Sequence, residues 1–224
     1  AVGTSLIPGV IIAWLISTKN NIFISVLNIL VYLPLILPPV VIGYMLLVLF
    51  SLNGPLGSLL YEYFNISVNF SWKGAAIASA IVSFPLLVRS IRLGFDNLDP
   101  KLEEAALIHG ATKIKCFMTI TLPLLLPAII TGATLAFARC LAEFGATITF
   151  VSNIPGETQT LPLALYNATQ TPGTEAAAVR LVIISVILAI VSMVISEILA
   201  RKSQKQVKEE NFSQKEENNT YMIR

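Results

Sequence analysis

Charged side chains are scarce in this sequence. Asp, Glu, Lys and Arg together make up 12% of its 224 residues, whereas they make up about a quarter of a typical soluble domain. Hydrophobic residues reach 55%, and the mean hydropathy is +0.76. The composition therefore excludes an ordinary soluble domain and predicts an integral membrane protein.

The sequence also has few of the residues that metal sites and redox enzymes use. It contains two cysteines, Cys116 and Cys140, and one histidine, His109. Their positions indicate neither a disulfide nor a metal site. No Gly-Lys-Ser or Gly-Lys-Thr phosphate-binding loop occurs, so any ATP hydrolysis must belong to a partner. We therefore expect no catalytic residue, metal or cofactor in this chain.

Long apolar segments account for most of the chain. We expect five membrane spans, at residues 1–17, 22–50, 74–93, 117–151 and 179–200. The residues after 200 are charged and lack an apolar run. The predicted fold class is thus an all-α membrane protein of about five transmembrane helices, with one membrane domain over residues 1–200 and a disordered charged tail over 201–224.

Prolines are clustered in two of these spans. Pro34, Pro38 and Pro39 lie within the second span, and prolines are tolerated there where neighbouring helices cover the freed carbonyls. We therefore expect a kinked second helix packed inside the bundle. Pro123 and Pro127 should bend the entry to the fourth span.

Basic residues are distributed unevenly between the loops. Twelve of the fifteen lie in the loop near Lys19, in the loop between the third and fourth spans with its flanks, or in the C-terminal tail. By the positive-inside rule these three regions are predicted to be cytoplasmic. Five spans then place the N-terminus outside.

The loop between the third and fourth spans has a regular pattern. Glu104-Ala105-Ala106 is followed after three residues by Gly110 and, after nine more, by Ile120, one residue, and Leu122-Pro123. Locally, Asp99 is a good N-cap, Pro100 suits the first helical turn, and Gly110 can end the helix in the left-handed conformation. The sequence therefore predicts a helix of about three turns, too short and too charged to span a bilayer.

This pattern resembles, at every fixed position, the cytoplasmic loop of ATP-binding-cassette (ABC) importer permeases. The resemblance implies a type I importer fold and a short coupling helix that enters a groove on a separate ATPase subunit. The implied coupling residues are Glu104, Ala105, Ala106, Gly110, Ile120, Leu122 and Pro123. The alternative is an ordinary amphipathic linker.

Two ionisable residues lie within the fourth predicted span. Arg139 and Glu143 are four residues apart and share a helix face, where charged groups are costly unless they pair or face the bundle interior. A pair that holds the helices together is favoured over direct contact with a substrate, although both interpretations stay open.

Three further segments resemble permeases for tetrahedral oxyanions. Residues 137–147 contain the characteristic Glu-Phe-Gly-Ala, with Ala142 where Gly is more usual. Residues 153–163 closely resemble the outer loop of molybdate permeases, and residues 33–44 point the same way. The resemblance implies import of molybdate, or tungstate, by alternating access. The alternatives are a sulfate importer permease, an ATPase-independent channel or an intramembrane enzyme.

A path for a doubly charged oxyanion must bind it weakly enough for release. Hydroxyls and amides suit this requirement, and the candidates by position are Thr147, Thr149, Ser152 and Asn153. For any one hydroxyl, a bond back to its own helix is the simpler alternative.

The resemblance also implies partners and a location. The partners are a second copy of the chain in a homodimer, two ATP-binding cassette subunits that use the ATP, and an extracellular or periplasmic molybdate-binding protein. No nucleic acid is expected. The location is the bacterial plasma (inner) membrane, or a plastid membrane, with the signature loop and the C-terminus cytoplasmic.

Overall fold

The protein is described here by a computed structural model that covers residues 1–19 and 21–222, with side chains described up to residue 202. The helices are α1 (Val2–Thr18), α2 (Ile22–Ile36), α3 (Pro39–Leu49), α4 (Pro55–Phe64), α5 (Trp72–Asp96), α6 (Pro100–Ile108), α7 (Lys113–Cys116), α8 (Leu122–Leu141), α9 (Gly145–Val151), α10 (Leu161–Gln170) and α11 (Glu175–Met222). A π-helical turn, Phe117–Thr121, joins α7 to α8. The described residues contain no β-strand, so the all-α prediction is confirmed.

Local capping chemistry sets many of the helix starts. The Asn21 side chain accepts a hydrogen bond from the backbone N–H of Ile24 at the start of α2, and Ser71 does the same for Gly74 at the start of α5. Proline occupies the first turn of α3, α4, α6, α8 and α10. Each of these groups either satisfies a free N–H or removes one.

Among the residues that the structure describes, three stretches of helix are long and apolar enough to cross a membrane: Trp72–Asp96, Lys113–Leu141 and Glu175–Lys202. The apolar helix α1 is shorter, at 17 residues. The α2–α3 pair passes the same test when taken together, but it is bent by 117°. With α1 and this pair, the described residues contain five apolar segments.

The bend corrects the prediction of a merely kinked second span. Leu37 adopts an extended conformation, with ψ of 142°, because the ring of a following proline disfavours the helical region. Pro38 and Pro39 then offer no N–H to continue the ladder of α2. Consequently α3 turns away sharply instead of continuing α2.

The fourth predicted span is also interrupted. α8 ends at Leu141, and α9 begins at Gly145 after a break over residues 142–144. The expectation of one helix over residues 117–151 is therefore wrong. The break places a buried carboxylate, that of Glu143, at the start of α9.

The buried core lies around α5. One cluster joins α5 to α1, α2 and α8, and includes Ala13, Leu87, Ile91 and Leu125. A second joins α5 to α3 and α9, and includes Ile42, Ala78 and Phe150. α5 thus links the two halves of the bundle.

Small residues allow α5 and α8 to approach closely. A Cβ atom at Gly94 would lie 2.6 Å from the Cβ of Ala128, and one at Gly132 would lie 3.1 Å from the Leu87 carbonyl oxygen. At the same crossing the Ser90 hydroxyl donates to the carbonyl of Ala128, at 2.9 Å. Such small-residue contacts are typical of helix packing in membranes.

The last helix packs on only one side. α11 contacts α8 and α10, and none of its apolar window is buried within the monomer. The α11 helix continues through the charged tail as far as Met222. The side chains from residue 203 and the last two residues lie outside the described part, so the disordered tail stays a prediction.

Candidate functional site

The signature loop begins with helix α6, and both of its ends have the predicted chemistry. The Asp99 carboxylate accepts a hydrogen bond from the Lys101 N–H at 3.0 Å, with Pro100 in the first turn. At the other end Gly110 has φ of +84°, which favours glycine. The backbone N–H groups of Gly110 and Ala111 donate to the carbonyls of Leu107 and Ala106, each at 3.0 Å, forming a Schellman motif.

α6 presents an open surface. None of its residues is buried; Glu104 and Ala105 are exposed and Ala106 is half-buried. Since the two alanines are slender, the helix can enter a groove that larger side chains would block. The structure thus leaves this part of the signature accessible to another protein.

The second part of the signature lies where the loop enters the membrane domain. Ile120 belongs to the π-helical turn, whereas Leu122 and Pro123 open α8. All three are half-buried. Pro123 cannot donate to a carbonyl in the preceding turn, and the N–H of Leu122 bonds instead to the carbonyl of Phe117, five residues earlier. The π-helical turn therefore lies at the entry to the fourth predicted span, where Pro123 is expected to bend the helix.

One contact ties the two parts of the signature together. The Thr121 hydroxyl donates to the Glu103 carboxylate, with an Oγ1–Oε1 distance of 2.5 Å. Neither residue is a fixed position of the signature, and sequence reasoning missed both. Glu103 precedes the Glu-Ala-Ala triplet, and Thr121 is the variable residue between Ile120 and Leu122, so no spacing signal marks either of them.

Arg139 and Glu143 form an ion pair at the break between α8 and α9. Arg139 Nη1 lies 2.8 Å from Glu143 Oε2, and the Glu143 side chain is 1% exposed. Glu143 Oε1 accepts a hydrogen bond from the N–H of Ala146 at 2.7 Å. The guanidinium is in the last turn of α8 and the carboxylate is at the start of α9, so each charge is favourably placed for its helix dipole.

The two candidate threonines point back to their own helix. Thr147 is fully buried, and its hydroxyl donates to the carbonyl of Phe144 at 2.9 Å. The Thr149 hydroxyl donates to the carbonyl of Gly145 at 2.8 Å. In this conformation both hydroxyls have intrahelical partners, and contact with a substrate stays a prediction.

Ser152 and Asn153 follow α9 and have different environments. Ser152 is exposed, with φ of 63° and ψ of −165°, a region that residues other than glycine rarely occupy. Asn153 donates from Nδ2 to the carbonyl of Leu163 at 3.4 Å, while its Oδ1 is buried without a hydrogen-bond partner. The Leu163 carbonyl accepts one of the two Nδ2 hydrogens, and contact of Asn153 with a substrate stays a prediction.

Hydrogen bonds of the Thr158 side chain stabilise the loop that follows α9. Its hydroxyl accepts from the N–H of Ile154 at 2.9 Å and donates to the carbonyl of Ser152 at 3.2 Å. Thr158 is 2% exposed, which makes it a structural residue of the segment that resembles molybdate permeases.

The candidate residues therefore form two groups. The candidate coupling residues lie around α6 and the start of α8, and the remaining candidates lie around the end of α8 and α9. α8 connects the two groups. Within residues 1–19 and 21–202 no group of three or more His, Cys, Asp or Glu side chains could hold a metal ion.

Comparison with known proteins gives concordant matches. The family model for binding-protein-dependent transport system inner membrane components matches residues 6–205. The chain is 52% identical over 209 residues to the molybdenum transport system permease protein ModB of Haemophilus influenzae, covering 93% of this chain and 91% of that protein. It is 54% identical over 204 residues to ModB of Escherichia coli K12, covering 91% and 89%.

A solved structure has a similar fold. It is the crystal structure of a bacterial ABC transporter involved in the import of the acidic polysaccharide alginate, with a TM-score of 0.65. The match covers 91% of this chain and 75% of that chain at 18% identity. At this identity the match speaks for the fold alone.

Proposed function

This chain belongs to the family of binding-protein-dependent transport system inner membrane components, and from that membership we propose that it is the membrane-spanning subunit of an ATP-driven molybdate importer. It is an integral membrane protein with a type I ABC importer permease fold. The observation that carries the substrate assignment is the identity of 52% and 54%, over nearly the whole chain, to two molybdenum transport permeases.

The geometry of α6 supports coupling to a separate ATPase. The helix is capped at both ends and none of its residues is buried, so it can form a stable, exposed insert for a groove on another subunit. In the proposed complex two copies of this chain face each other, and each α6 docks on one ATP-binding cassette subunit. ATP-driven closure of those subunits moves the two α6 helices and switches the membrane helices between inward-open and outward-open arrangements.

The distribution of charged residues in the predicted spans supports weak binding of the anion along its path through the membrane. Arg139 is the one basic residue deep within a predicted span, and Glu143 already neutralises it. A molybdate dianion would therefore meet no unpaired cation in this part of the chain, which favours release over trapping. We propose that tight binding of molybdate belongs to a separate extracellular binding protein.

The loops that follow α1 and α5 lie at the same end of the bundle. The Ser17 hydroxyl donates to the Asp96 carboxylate at 2.5 Å, which brings together the C-terminal ends of α1 and α5. The loop after α1 and the signature loop thus share one end, as the charge count predicts. We propose that this end is cytoplasmic and that the membrane is the bacterial inner membrane.

The test uses the chain reconstituted in proteoliposomes with its ATPase subunit and its binding protein. Molybdate, tungstate and sulfate are titrated separately, and both ATP hydrolysis and anion uptake are measured. We expect molybdate to stimulate hydrolysis and to be taken up, with little response to sulfate. A response to sulfate alone would change the assigned substrate from molybdate to sulfate and leave the proposed mechanism intact. Uptake of anion without ATP would contradict the proposal that the protein belongs to an ATP-driven importer.

A further inference from the structure

Glu103 forms an unusual link between the coupling helix and the membrane domain. Its carboxylate accepts the Thr121 hydroxyl at 2.5 Å. Thr121 is only 1% exposed, whereas Glu103 belongs to the exposed helix α6. A hydrogen bond to an ionised acceptor is stronger than one between neutral groups.

This link is the sole side-chain hydrogen bond between α6 and another element within the described residues. α6 has no buried residue to anchor it by packing, and it contacts α7 and the π-helical turn. Besides the backbone over residues 109–116 and the contacts of α6 with α7 and the π-helical turn, the Glu103–Thr121 bond is the side-chain hydrogen bond that joins α6 to the start of α8.

The receiving end of the link is a π-helical turn. Thr121 is the last residue of the π-helical turn, and such turns are rare and frequently mark functional sites in helices. A cavity of about 870 Å³ lies beside it, with Glu103, Leu107 and Phe117 on one wall and residues of α1 on the other. The cavity therefore lies between α6 and α1 in this chain.

We propose that Glu103 is a positioning residue that transmits displacement of α6 to α8 through the Thr121 hydroxyl. The inference rests on the proposed function and deepens it, because it assigns the transmission step to a pair of residues outside the fixed signature. When the ATPase subunit draws α6 aside, the carboxylate pulls the C-terminal end of the π-helical turn and α8 moves with it.

Three variants separate this role from a general effect on folding. Thr121→Val keeps the volume and removes the donor, Thr121→Ser keeps the donor and removes a methyl group, and Glu103→Ala removes the acceptor. In the reconstituted transporter we expect Thr121→Val and Glu103→Ala to reduce molybdate transported per ATP hydrolysed by about tenfold. Thr121→Ser should stay close to the wild type, and the double variant Glu103→Ala/Thr121→Val should be no worse than either single variant.

A second measurement does not depend on the anion. Hydrogen exchange of the assembled complex is followed by mass spectrometry in peptides covering residues 100–110 and 117–125, with and without a non-hydrolysable ATP analogue. In the wild type and in Thr121→Ser we expect the nucleotide to change exchange in both peptides. In Thr121→Val we expect a change in the first peptide only.

The outcomes are distinct. Coupled changes in Thr121→Val as strong as in the wild type would overturn the role of Glu103 and leave the proposed function intact. Wild-type complexes that respond to nucleotide but transport no molybdate would overturn the substrate, while the exchange data still decide the role of Glu103. A wild type with no response to nucleotide in either peptide would overturn both.

Discussion

Gly43 of α3 and Ala146 of α9 lie so close together that a Cβ atom at Gly43 would be 2.6 Å from the Ala146 carbonyl oxygen. The nearest atoms are the backbone oxygen and Cα of Ala146, which cannot move aside as a flexible side chain would. The same packing brings the start of α9 against Pro39, which lies 3.0 Å from a Cβ placed at Gly145. The two short helices therefore depend on glycine at their crossing.

Gly43→Ala should separate α3 from α9. We expect the free energy of unfolding to fall by about 1–3 kcal/mol, as for other overpacked cores, measured as thermal denaturation of the purified protein in detergent. Gly3→Ala is the matched control, since Gly3 is also helical and a Cβ there has no neighbour within 4 Å. If Gly43→Ala proved as stable as Gly3→Ala, the result would contradict the close packing of α3 against α9 at Gly43.

The ion pair at the α8–α9 break should respond asymmetrically to substitution. Arg139→Met leaves the buried Glu143 carboxylate without its partner, so we expect a loss of about 3 kcal/mol. Glu143→Gln keeps an oxygen for the Ala146 N–H and should cost less. The double variant should be more stable than Arg139→Met alone.

Thermal denaturation and uptake, measured together, separate the two roles of the pair. A pair that holds the helices together predicts that Arg139→Met/Glu143→Gln recovers transport along with stability. A stable double variant that transports nothing would instead indicate direct contact with the substrate.

Glu104→Lys should uncouple ATP hydrolysis from transport without affecting insertion. Glu104 is exposed on α6, so the reversed charge disturbs a partner and not the fold of the chain. Molybdate-stimulated ATPase activity should fall by about tenfold or more, while the amount of membrane-inserted protein stays the same. Glu62→Lys, an equal charge change on exposed α4, should behave like the wild type, and unchanged uptake in Glu104→Lys would remove the coupling role.

Gly110→Pro should act in the same way through the backbone. Proline holds φ near −65°, whereas Gly110 has φ of +84°, so the Schellman motif cannot form. We expect loss of coupled transport with normal insertion. Gly156→Pro is the control at another positive-φ glycine, with φ of +81°, outside the signature; equal loss of coupling in both variants would contradict a specific role for the end of α6.

Ser152→Gly should stabilise the protein. Ser152 occupies a region of backbone conformation suited to glycine, and relief of such strain is worth about 1–3 kcal/mol. Asn65→Gly offers a comparison, because Asn65 has φ of 53° and ψ of 37°, which asparagine tolerates well. A smaller gain in stability from Ser152→Gly than from Asn65→Gly would contradict backbone strain at Ser152. Reduced uptake in a stabilised Ser152→Gly variant would indicate that the serine side chain takes part in transport.

Local chemistry made part of this structure predictable. The cap at Asp99, the proline beside it and the left-handed Gly110 are properties of residues adjacent in the chain, so the bounds of α6 could be predicted. The apolar segments followed from composition.

Two features that were not predicted involve contacts between residues distant in sequence. The prolines predict a disturbance near residue 38, but the 117° bend also depends on α9 as a packing partner for α3. The break over residues 142–144 likewise had no proline or glycine run to signal it. The Glu103–Thr121 bond joins residues 18 apart, with no periodic pattern connecting them.

The sharp bend between α2 and α3 also has a consequence for biosynthesis. A translocon that reads hydrophobicity as the chain emerges receives residues 22–49 as one uninterrupted apolar stretch, because α9, the helix that receives α3, has not yet been made. The final position of α3 must therefore be reached after most of the protein has been translated, since such a non-local contact cannot form earlier. Until α9 is in place, the apolar side chains of α3 lack this packing partner, and we expect slower synthesis or insertion of α9 to lower the yield of intact protein, because incompletely packed intermediates are prone to aggregation.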